Sequence, residues 1–185
     1  MEAWNKGKRV GQKKVFKLED IWRIRIRLEL EERLFELALF NLAIDCKLRS
    51  CDLRNLKVQD VSRSGYVMPR TIVKQQKTQQ TLSQWIIKNA LAPTDFLFPS
   101  SRREGQPISH YYTTIVNRWV TDIGLDKTQY GTHSLRRTKA SLIYAKTKNL
   151  RAIQLLLGHA KLESTIEYLG VEIEDALRIS ENCET

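Results

Sequence analysis

The second half of the chain restricts the fold more than any other feature, because of how it is punctuated. From Ser109 onward apolar residues recur at helical spacing in short runs, separated by glycines or polar breaks. Ser109 can cap a helix through about Ile123, which Gly124 ends. Thr132 or Ser134 can start another through about Lys146, and Leu150 to Leu157 forms a further short helix closed by Gly158. Leu162 to Tyr168 and Val171 to Ile179 complete the series. Each such helix has one apolar face to hide, and the simplest solution packs helix on helix.

The first half is more mixed. Ile21, Ile24 and Leu28, then Leu34, Leu37, Leu39 and Phe40, fit helical faces, although Ile24 to Leu28 also alternates like a strand. Glu31 to Ile44 predicts a helix, and Lys47 to Leu53 a polar turn running into a short one. Val58 to Val73 is β-branched and broken by Ser64-Gly65, which predicts short antiparallel strands. Thr81 to Leu91 predicts a helix ending before Pro93, and Asp95 to Pro99 an extended apolar step before a polar loop at Ser100 to Gln106. The expected class is mainly α with a small antiparallel β-sheet (α+β), without repeats or low-complexity tracts.

The most apolar stretch, Leu34 to Ile44, is interrupted by Glu36 and Asn41 and falls well short of the roughly 20 apolar residues of a membrane span. No signal peptide is expected at the basic N-terminus. Cys46, Cys51 and Cys183 form no CxxC pair, which argues against a disulfide scaffold or a zinc site and for a reducing cytoplasm. Charge is distributed unevenly. The net charge is +10, yet Glu163 to Thr185 carries seven acids against Arg178 alone, leaving a strongly basic body. That body suits a phosphate backbone, and the acidic tail suits a basic protein surface. Residues 1–16 read as a mobile basic arm, 17–170 as one domain, and 171–185 as an acidic helix or tail.

Three polar groups stand out among these helices. His133 and Arg136 are three apart and share a helix face. Leu156-Leu157-Gly158-His159 follows, and Tyr168 lies nine positions after His159. His110 has no partner in sequence and reads as structural or surface. Taken singly, each residue has a plainer reading: a solvated Arg, a packed Tyr, a His at a helix start.

Together, His133-x-x-Arg136, Leu157-Gly158-His159 and Tyr168 resemble the C-terminal signature of tyrosine recombinases, the phage-integrase family. Leu48-Arg49-Ser50-Cys51-Asp52-Leu53 resembles the family's first arginine box, and Gln75-Gln76-Lys77-Thr78 its β-hairpin lysine. The resemblance implies the catalytic-core fold of DNA breaking-rejoining enzymes and catalysis by Arg49, Lys77, His133, Arg136, His159 and Tyr168, with no metal or cofactor. Two arginines would grip a phosphodiester's oxygens with planar, permanently charged forks. Tyr168 would attack as nucleophile and Lys77 would protonate the leaving oxygen, with His133 assisting proton transfer and His159 bonding the phosphate. The product would be a 3′-phosphotyrosine that stores the bond energy for rejoining, as in integration, excision or inversion of a mobile element. The implied partners are double-stranded DNA, sister copies in a tetramer joined through the C-terminal helix, and an accessory DNA-bending protein.

Three departures accompany the resemblance. Too few residues precede the first helix for the family's DNA-clamping domain. Only Thr78 to Leu82 stand where a return strand and a connector are expected, implying a shortened hairpin. Arg137 stands where another His is common, and reads as facing phosphate or solvent. A decayed or truncated integrase that binds DNA without catalysis therefore stays open beside the active enzyme, as does a type IB topoisomerase.

Overall fold

A computed structural model describes residues 12–63, 66–67, 75–100, 103, 105–108 and 111–170. Among them run nine helices: α1 (Leu18–Leu30), α2 (Leu34–Cys46), α3 (Ser50–Arg54), α4 (Val58–Val61), α5 (Gln76–Lys88), α6 (Tyr111–Asp122), α7 (Thr132–Thr147), α8 (Leu150–Leu157) and α9 (Leu162–Leu169). Two short strands, β1 (Ser62–Arg63) and β2 (Tyr66–Val67), pair antiparallel with Ser62 opposite Val67 and Arg63 opposite Tyr66. No helix among the described residues is long and apolar enough to cross a membrane.

The axis of the core is α2, buried at every position from Glu36 to Cys46. A helix buried on every side has no face to give to water, and α1, α5 and α7 pack around it. Its polar residues are buried with partners, as a low-dielectric interior demands. Glu36 accepts from Arg33, from Arg118 and from the Trp119 indole Nε1 at 2.7 Å. Asn41 accepts from Arg25 Nε at 2.6 Å. Asp45 accepts from the Thr78 hydroxyl and pairs with Lys139 Nζ at 3.1 Å.

In α1, the Ile24 to Leu28 alternation resolves as a helix: Ile21, Ile24 and Leu28 enter the core while Ile26 stays exposed. Arg23 and Arg27 donate to the carbonyls of Ile123 and Asp122 at 2.6 and 2.8 Å, covering the oxygens that the end of α6 leaves unpaired. The helix predicted from Glu31 starts three residues later, because Glu32 takes a left-handed conformation (φ 53°) between α1 and α2. Val58 to Val61 is a helical turn, not a strand. Asp60 accepts from the Lys57 amide at 2.8 Å, and Val58 and Val61, three apart, enter the core together.

Two further expectations are corrected. The helix predicted from Thr81 begins at Gln76, so Lys77 and Thr78 lie in its first turn. The mobile arm predicted for 1–16 does not hold for its last five residues. Phe16 is buried and stacks on Tyr130 at 4.9 Å, its amide donates to Thr138 Oγ1 at 2.9 Å, and the Lys14 amide donates to Gln129 O at 2.7 Å. Ser64-Gly65, Ser109, His110, Cys183 and the 171–185 helix or tail lie outside the described residues.

Candidate active site

Three consecutive helices converge at the C-terminal end of the described chain. At the start of α7, buried Ser134 accepts from the Gly131 amide at 3.1 Å and fixes the first turn. Two residues on, Arg136 Nη2 donates to Leu157 O at 2.9 Å and ties α7 to the end of α8. Gly158 then takes a left-handed conformation (φ 70°), which only glycine adopts freely, and turns the chain out of α8. Buried Gln154 secures that turn by donating to His159 O and Ala160 O at 3.0 and 3.2 Å.

The turn delivers the His159 ring edge-on to Tyr168, with ring centroids 5.3 Å apart at 82°. His159 Nδ1 lies 3.1 Å from the hydroxyl of Thr165, which is fully buried on α9 one turn before Tyr168. With Nδ1 engaged, the chemistry of the ring falls to Nε2. The guanidinium carbons of Arg136 and Arg137 each lie 5.7 Å from the Tyr168 ring centroid. A small apolar cluster of Ala140, Ile153 and Leu157 packs with Ile143, Tyr144, Tyr168 and Leu169.

Two buried polar atoms here have no hydrogen-bond partner among the described residues, the Tyr168 hydroxyl and Arg136 Nε. Burial raises the Tyr168 pKa above the ordinary phenol value, with the positive charges of Arg136 and Arg137 opposing the rise. Burial, then the charges of Arg136 and Arg49, lowers that of His159. Arg49, exposed just ahead of α3, is thus close enough for its field to reach the His159 ring. The site sets a phenol whose pKa is raised and an imidazole whose pKa is lowered among fixed positive charges.

The phage integrase family profile matches residues 24–175. The chain belongs to the phage integrase family. A tyrosine recombinase of Pseudothermotoga lettingae is 32% identical over 138 residues, 68% of this chain and 46% of the relative. The Bacillus subtilis chain named Probable integrase/recombinase YoeC is 29% identical over 147 residues, 76% of this chain and 79% of its own. The chain thus spans about half the length of the first relative and most of the second. Among solved structures, the XerH site-specific recombinase in its post-cleavage complex with a palindromic difH substrate superposes with a TM-score of 0.71 at 22% identity, over 95% of this chain and 55% of that one. The Tn1549 transposon integrase in complex with transposon right end DNA gives 0.66 at 16% identity, over 98% and 70%. These structural likenesses establish the fold, the mostly helical catalytic core of tyrosine recombinases.

Of the residues named from the sequence, Arg136 and His159 lie against the Tyr168 ring, and the charge of Arg49 acts on His159. His133 sits exposed in the first turn of α7, one turn ahead of Arg136. Lys77 does not stand on a hairpin. It lies in the first turn of α5 with its ammonium 4.8 Å from the centre of the Trp22 ring. Arg137, read as facing phosphate or solvent, is instead buried and bonded to backbone oxygens. Thr165 and Gln154 are site residues that the recognisable motifs do not include. Thr165 carried a usable signal, since a residue three before the tyrosine shares its helix face. Gln154, between two apolar residues of α8, carried none.

Proposed function

We propose that this chain is the catalytic core of a site-specific DNA recombinase or integrase, acting on double-stranded DNA through a 3′-phosphotyrosine at Tyr168. One observation carries the reading: a buried phenol hydroxyl and a buried guanidinium nitrogen, both without partners among the described residues, stand among Arg49, Arg136 and His159. A phosphodiester supplies the acceptors and negative charge that such a cluster suits. Arg49 and Arg136 take its non-bridging oxygens and, as charge grows in the transition state, hold it more strongly than in the ground state. His159 donates to the phosphate through Nε2. The Tyr168 oxygen attacks phosphorus, its proton passes toward His133, and the bond to the 5′ oxygen breaks with its electron pair leaving on that oxygen. Lys77 enters as the donor of the final proton, for which its ammonium must leave the Trp22 ring. Rejoining reverses these steps, so no external energy source is needed.

The wider reading follows from this chemistry and from the relatives' names. The element served is mobile, the chain works in the cytoplasm, and copies assemble on DNA as a tetramer through residues 171–185, with an accessory DNA-bending protein. It includes a small antiparallel sheet, supported by the two rungs between β1 and β2.

Covalent trapping tests the core of the proposal. Purified protein is incubated with nicked suicide duplexes from the element's boundaries and resolved on a denaturing gel, beside Tyr168→Phe and a parallel binding assay. An adduct in the wild type and none in Tyr168→Phe, with equal DNA affinity, is the expected result. Tight binding without an adduct would replace this reading with a DNA-binding protein that has lost catalysis. Relaxation of plasmids lacking any specific site would replace it with a topoisomerase.

A further inference from the structure

Arg137 has no part in the chemistry above, yet it is only 7% exposed. Its guanidinium joins backbone oxygens from opposite ends of the described chain. Nε donates to Tyr168 O at 2.8 Å, and Nη1 donates to Lys13 O. Gln12 reaches the same place from the other side, its Nε2 donating to Glu167 O at 2.9 Å and to Tyr168 O at 3.3 Å. Residues 12–16 form the strap that brings Gln12 there, fastened by Lys13 Nζ on Thr128 O at 2.6 Å, Lys14 N on Gln129 O and Phe16 N on Thr138 Oγ1.

Glu167 O and Tyr168 O both belong to the last turn of α9, where Glu167 O also accepts from the Gly170 amide at 3.2 Å, and Gln12 and Arg137 are further donors to this end of the helix. A cation at a helix C-terminus also meets the negative end of the helix dipole. An eight-residue helix is far too short to hold its shape alone, so α9 depends on what caps it.

Resting on the recombinase reading, we propose that Arg137 is a positioning residue for the nucleophile, and that the strap carrying Gln12 and Lys13 completes the cap that holds Tyr168 in line for attack. Arg137 acts through the backbone of Tyr168 and touches no reacting atom. A misplacement of about 1 Å in such a geometry can cost on the order of a hundredfold in rate.

The test uses the full chain with Gln12→Ala, Arg137→Lys and the double variant. Gln12 is exposed, so its truncation threatens no core, and lysine keeps the charge of Arg137 while losing the fork that spans two carbonyls. Three quantities are read: amide hydrogen exchange over 166–170, DNA affinity, and the single-turnover adduct rate at saturating suicide duplex. Both single variants are expected to speed exchange over 166–170 and slow the adduct by about tenfold each, with DNA affinity unchanged. The double variant is expected to fall short of the product of the two, since both act on one cap. A purely structural Arg137 would leave Gln12→Ala silent and lower the melting temperature of Arg137→Lys. Exchange and adduct rate within about twofold of wild type in both single variants would overturn the proposal. If the wild type itself gave no adduct, the recombinase reading would fall, and exchange alone would still decide whether Arg137 and Gln12 cap α9.

Discussion

Replacing Glu36 by leucine probes the most heavily bonded carboxylate of the core. Glu36 lies near the start of α2 and gathers three donors: Arg33, Arg118 and the Trp119 indole at 2.7 Å. These donors are not equal. The Arg118 side chain is 43% exposed and that of Arg33 21%, so water can rehydrate both, and each pair is worth only some tenths to about 1 kcal/mol. Trp119 is 1% exposed, and its N–H would be left unpaired at a cost of about 1–3 kcal/mol. Leucine fills much of the vacated space, so the net loss is about 2–4 kcal/mol, or roughly 5–15 °C in Tm for a chain of this size. Thermal and urea melts followed by circular dichroism measure it. In a double-mutant cycle with Trp119→Phe, which removes the orphaned donor, the expected coupling is about 1–3 kcal/mol. A coupling within about 0.5 kcal/mol of zero would show that the indole bond is not what Glu36 contributes, and the argument would fail.

Thr165→Val keeps the shape of a buried side chain while removing the partner of His159 Nδ1, and is expected to slow adduct formation roughly five- to tenfold with unchanged DNA affinity. A rate within twofold of wild type would separate Thr165 from the site. Lys77→Ala is expected to slow cleavage at least about a hundredfold on an ordinary duplex, and a 5′-bridging sulfur, which leaves without a proton, is expected to restore the rate. Without that rescue, Lys77 does not supply the proton. Burial pushes the Cys46 thiol up to about 12, above its unfolded value of 9.0. Its contribution to stability is therefore complete below pH 9 and is lost as pH rises toward 12. Urea midpoints should decline over that window, and Cys46→Ala should flatten the decline. Gly158→Ala meets open space but a left-handed backbone (φ 70°), so about 1 kcal/mol of stability should be lost, with a slower adduct because His159 is displaced.

What the sequence reveals and what it hides divide along the range of the interactions. Arg136, His159 and Tyr168 are legible because local rules set their relations: a helix turn from His133 to Arg136, a glycine that ends α8, and a short helix that presents the tyrosine. Lys77 is misleading because its helix is specified from a distance. Thr78 and Thr81 face Asp45 and Asn41 of α2 across 33 and 40 residues, and a run of polar residues from Gln75 to Gln80 gives no apolar period to betray it. Val58 to Val61 is β-branched and still coils, because a capping carboxylate and two core positions three apart outweigh a modest strand preference. Arg137 looks like any basic residue of a basic chain, since its partners are backbone oxygens 31 and 124 residues away.

That last separation has a bearing on how the molecule is made. A ribosome releases residues 12–16 long before it makes their seat. Phe16 waits for Thr138, 122 residues later, and Gln12 for Glu167, 155 residues later. Contacts so far apart in sequence form late, after the local helices, and they carry a large loop-closure cost. The contacts that Gln12 makes with α9 therefore form only when the first described residues close over the last.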